Sequence, residues 1–89
     1  MHAIEFRVIV LDDDGTSAIL GRNYRRSTIP VIGRKAPFVG HAFPEGKVWL
    51  TVTSTTSKPP RVFVRAEGHT IETFLAAGWK RIGEETPGP

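Results

Sequence analysis

Ile4, Phe6, Val8 and Val10 occupy every second position, with Glu5, Arg7, Ile9 and Leu11 between them. A period of two sorts these residues onto opposite faces of an extended strand, which a helix cannot do. The beat returns at Val48, Leu50 and Val52, and again at Val62, Val64 and Ala66. The segments 47–53 and 61–66, joined by the polar connection 54–60, are expected to pair as a hairpin, with those six residues in the core. The other face of that hairpin then carries Lys47, Trp49, Thr51 and Thr53 against Arg61, Phe63 and Arg65.

The remaining elements follow from local chemistry. Asp14-Gly15 is a strong two-residue hairpin signal, because both residues tolerate positive φ. It returns the chain along 16–26 and sets Leu11 opposite Ala18, Ile9 opposite Leu20 and Arg7 opposite Arg22. Two arginines face to face are unfavourable, so either the register differs or an anion sits between them. Residues 27–44 hold Pro30, Pro37, Pro44, Gly33 and Gly40, which break long pairing and leave a long loop with at most a brief strand at 29–32. Thr70 reads as an N-cap, with Ile71, Phe74 and Leu75 on one helix face and Gly78 as the stop. A last edge strand follows at 79–82. Hairpin-linked strands with a single short helix specify an α+β, mostly antiparallel fold: a small bent sheet or partial β-barrel of about five strands. Residues 1–84 form one small β-rich domain, and 85–89 are expected to be a flexible tail.

Composition narrows the function. The 89 residues contain no cysteine, which excludes a disulfide scaffold or thiolate metal site and points to a reducing, cytoplasmic setting. The N-terminal residues lack the apolar run of a leader, no stretch is long enough for a spanning helix, and no membrane partner is expected. The formal charge is only +3, yet it is segregated. No acidic residue occurs from Gly15 to Pro44, while Arg22, Arg25, Arg26, Arg34 and Lys35 do, with Tyr24 interleaved. A local positive field selects polyanions, and arginine offers a planar fork suited to phosphate. The bland reading is a charge-protected strand edge. On either reading these arginines are expected to be exposed and dispensable for folding.

Trp49 and Phe63, set among Lys47, Arg61 and Arg65, form a second candidate: a stacking platform with phosphate-pairing rims, as single-stranded nucleic acids use. The run Arg61–Arg65 resembles the aromatic strand of RNA-recognition sheets, without its glycine and second aromatic, and assigns no family. The alternative, and the expected arrangement in so small a chain, covers both rings with Phe74 and Leu75 or with the long loop.

Other chemistry is sparse. Asp12, Asp13 and Asp14 are contiguous, so they make a turn and not a calcium loop, which needs alternate carboxylates and a distal Glu. His69 and Glu72 stand three apart without a third ligand, and His2 and His41 are isolated. Nucleophile elbows, phosphate loops and dinucleotide fingerprints are missing. The sequence therefore supports a non-enzymatic binding module, without cofactor or metal, whose basic face engages RNA or single-stranded DNA. The rival is a protein-interaction or inhibitor domain meeting an acidic protein surface, such as a phage or mobile-element accessory factor docking on a larger complex.

Overall fold

In the computed structural model, which describes residues 2–40, 42–58 and 60–83, six strands form one sheet. The strands are β1 (His2–Leu11), β2 (Ser17–Arg26), β3 (Lys35–Val39), β4 (Lys47–Ser57), β5 (Pro60–Arg65) and β6 (Lys80–Gly83). One helix, α1 (Ile71–Ala76), precedes β6. The sheet order is β3-β4-β5-β1-β2-β6, antiparallel throughout except for the central β1·β5 pair. This is the expected small α+β fold, with one strand more than expected. His41 and the proposed tail lie outside the described residues.

Alternation does what its period implies. Ile4, Phe6, Val8 and Val10 are buried on one face of β1, and Val48, Leu50, Val52, Val62 and Val64 are buried with them from β4 and β5, while Ala66 packs at the edge. α1 lies against this same face and adds Ile71 and Phe74, while Leu75 stays partly exposed. Thr70 caps the helix by accepting a hydrogen bond from the Thr73 N–H, and Gly78 ends it at φ +96°. The largest buried side chain is Trp79, which reading 79–82 as a mere edge strand overlooks. Its ring tilts against Phe74, Phe38 and Tyr24 and joins the helix, β3 and β2 in one aromatic cluster.

Three local expectations need correction. The first hairpin pairs Leu11 with Ser17, Ile9 with Ile19 and Arg7 with Gly21, one residue away from the expected register. A one-residue slip would set buried Leu20 against exposed Ile9, so the core decides. The turn accommodates the change as a wider loop in which Gly15 N–H donates to Asp12 O and Thr16 N–H donates to the Asp14 carboxylate. Arg7 and Arg22 therefore never oppose one another. Second, the strand in the Pro/Gly-rich segment is Lys35–Val39, not 29–32. It tolerates Pro37 because β3 is an edge strand. Third, β4 and β5 run through most of the expected connection, since the Thr/Ser run favours extended backbone. A bulge between Val52 and Ser54 re-phases the pairing, and the Thr53 hydroxyl donates to Phe63 O across it.

The sheet bends until β3 approaches the far end of β2. No ladder joins them; instead the Arg26 guanidinium donates to Pro37 O, and Phe38 meets Tyr24 edge to face with centroids 5.1 Å apart.

Candidate functional site

Strand periodicity splits the basic run between two faces. Arg22, Tyr24 and Arg26 lie opposite Phe6, Ile4 and His2 and point to the core side, whereas Arg25 lies opposite exposed Ala3 and points outward. Arg22 donates to Ala77 O and sits 4.9 Å from the Tyr24 ring centroid. It thereby gives α1 the C-terminal cation that its own last turn lacks. Arg26 lies over three rings, 5.1 Å from Phe38, 5.4 Å from Tyr24 and 5.5 Å from Phe6. Both guanidiniums close the end of the core and are half-buried, where the sequence reading expected them exposed.

Tyr24 shares that environment. Burial pushes its phenol above the usual value, although the Arg22 and Arg26 charges and the Trp79 indole act in the opposite direction. None of these neighbours completes a hydrogen bond of good geometry to the hydroxyl, which is buried with Trp79 Nε1 and Arg26 Nε.

The seam between β2 and β3 gathers further cations around Arg26. Arg26, Arg34 and Lys35 line a cleft of about 340 Å³ between the 27–34 segment and β3, with Ser27, Thr28 and Ile29 on its wall. The segment is held in place by Gly33 N–H donating to Val52 O and Val52 N–H donating to Arg34 O. On the other side of Arg26, Tyr24, Arg25, Val39 and Lys47 line a second cleft of about 300 Å³. Pro37 belongs to both. Among the described residues no carboxylate lines either cleft. The aspartates 12–14 sit at the opposite end of the β1–β2 hairpin, about 30 Å away at ~3.3 Å per residue along ten-residue strands. Asp12 accepts from the Ile71 N–H there.

Trp49 is the cross-strand partner of Pro37, is 51% exposed, and has Lys47 Nζ 4.9 Å from its ring centroid. α1 covers neither Trp49 nor Phe63, because it packs on the other face of the sheet. The two rings are also not one platform. Phe63 pairs with Ser54 and Arg7, five residues along β4 from Trp49, or roughly 16 Å of strand. Arg61 is held with Arg7 by Glu5, each Nε 2.6 Å from Glu5 Oε1; burial raises the Glu5 pKa, but these two hydrogen bonds outweigh it and leave the carboxyl below its usual range. Thus Arg25, Arg26, Arg34 and Lys35 converge on the β2–β3 seam, together with Lys47, and Trp49 stands one strand away beside Pro37, while Arg22 is committed to α1 and Arg61, Phe63 and Arg65 lie on the outer face of β5.

That outer face carries one feature not anticipated. Ile9 pairs with Ile19 and flanks Arg65, while Ile82 lies over Gly21. With Leu11 (71% exposed), these residues form an apolar stripe across β1, β2 and β6. Its signal was the apolar content of β1's second face. Among the described residues no group of three His, Asp or Glu can hold a metal, and His69 packs edge-on against Phe43 and Phe74. Among the described residues no helix is long and apolar enough to cross a membrane. No family model matches the sequence, and no curated protein or solved structure matches it significantly.

Proposed function

We propose that the protein is a non-enzymatic binding module whose β2–β3 seam engages a polyanion, RNA or single-stranded DNA. The observation that supports this is the convergence of Arg25, Arg26, Arg34, Lys35 and Lys47 on two adjoining clefts without a carboxylate, the aspartate turn being at the far end of the hairpin. Such an axis of charge orients an approaching polyanion before contact. Catalysis would need convergent acid, base or nucleophilic groups in a pocket, and the polar groups that the described residues bring to the seam are cations and hydroxyls. The test is titration of a fluorescent 12-nucleotide single strand at rising salt. Affinity that falls steeply with salt concentration supports the reading, and affinity indifferent to salt, or no binding at low salt, refutes it.

The apolar stripe of Ile9, Leu11, Ile19 and Ile82 favours a second reading, a protein-interaction domain such as a phage or mobile-element accessory factor. Its binding would withstand salt and fail on Leu11→Glu. Both readings are of a cytoplasmic protein, in keeping with a chain without cysteine.

A further inference from the structure

We infer that Trp49 is the base-stacking residue of the β2–β3 seam, so that the site takes an unpaired strand in preference to a duplex or a base-free polyanion. This rests on the proposed polyanion reading and goes beyond it, since charge alone does not distinguish these ligands.

Three observations converge. Trp49 stands on the outer face of β4 with half its surface exposed, beside Pro37, which with Arg26 is common to both cation-lined clefts. A strand laid along β3 with phosphates in the two clefts therefore passes beside the indole, which lines neither cleft but neighbours Pro37 where they meet. Stacking on an indole requires an open base face, which an unpaired strand offers and a base-paired interior does not. Finally, Lys47 already rests over the ring. An exposed cation–π contact is weak, so a phosphate draws the ammonium aside at little cost and leaves the ring to a base. Phe63 serves no such role, because Arg7 and Ser54 are its neighbours and the clefts are distant. Trp79, buried in the core, reports on nothing outside it, which leaves Trp49 as the responsive fluorophore.

The experiment compares fluorescence anisotropy of three 12-mers at low salt: an oligo(dT) single strand, a fully abasic phosphodiester strand of equal charge, and a duplex, which carries twice their charge. Wild type, Trp49→Phe and Trp49→Ala are each used, with thermal melts followed by circular dichroism. Wild type is expected to bind oligo(dT) about 5- to 100-fold more tightly than the abasic strand, the range for one stacked base. Trp49→Ala brings oligo(dT) down to the abasic level with an unchanged melt, Trp49→Phe retains most of the difference, and oligo(dT) quenches wild-type emission. Equal affinity for oligo(dT) and the abasic strand, or Trp49→Ala binding like wild type, overturns the stacking inference while the polyanion reading stands; preference for the duplex overturns both the stacking inference and the choice of an unpaired strand. If none of the three ligands binds, both fall. Loss of the melt in Trp49→Ala leaves the comparison to Trp49→Phe and to the abasic strand on wild type, where equal affinities overturn the inference.

Discussion

Along β2 the side chains alternate between the two faces of the sheet, so Arg22 and Arg26 turn inward with Tyr24 while Arg25 turns outward. Composition registers three arginines, and only tertiary packing distinguishes them. Arg26→Ala removes a hydrogen bond to Pro37 O and contacts with three rings, an expected loss of about 1–3 kcal/mol. Arg25→Ala is expected to stay within about 0.5 kcal/mol. Urea denaturation of the two variants separates them, and equal effects would contradict this division. Tyr24 gives a pH signature. Its folded-state pKa lies above the ordinary 10.0, so its contribution is complete below that pH. As pH rises past it, the unfolded chain ionises first and stability is lost. Melting temperatures followed from pH 8 to 11 are expected to decline less in Tyr24→Phe than in wild type.

At the scale of elements, what was legible in the sequence was whatever one strand or helix decides by itself. The faces of β1, β4 and β5, the Thr70 cap and the Gly78 stop depend on local periodicity and local φ. What was not legible depends on a second element. The β1–β2 register is chosen by which residues the core accepts, and the location of β3 by which part of a proline-rich segment finds β4's edge. The exposure of Trp49 follows from the face on which α1 docks. The seam was half visible: Arg25, Arg26, Arg34 and Lys35 announced themselves by charge, but the partnership of Lys47 and Trp49 with them arises because the sheet bends. Leu50, wholly buried on β4, tests the legible part. Leu50→Ala is expected to cost about 2–5 kcal/mol, measured by denaturant midpoint, and a harmless substitution would mean that the faces of β4 are inverted.

For the whole molecule, the segregated charge is the property that partners meet first. Replacing Arg25, Arg34 and Lys35 together by Ala is expected to weaken binding of the 12-nucleotide strand by tens-fold or more at low salt. The slope of log affinity against log salt should flatten by up to about two to three units. These three are exposed, so the melting curve should barely move, unlike that of any variant lacking Arg26. Unchanged affinity with an unchanged melt would place the interface elsewhere, with the apolar stripe as the next surface to probe.

The central pairing of β1 with β5 bears on how the chain is made. Glu5 and Arg61, neighbours across that parallel ladder, are 56 residues apart. A nascent chain can close the β1–β2 hairpin early in translation, but one edge of β1 then stays open until β5 clears the ribosome. During that interval Phe6 and Val8 lack the strand that completes their cover, and an exposed, apolar edge is an invitation to pair with another chain. Long-range ladders also fold slowly. Fragments ending before residue 60 should therefore aggregate instead of folding, and yield from rapid overexpression should improve when synthesis is slowed by lower temperature.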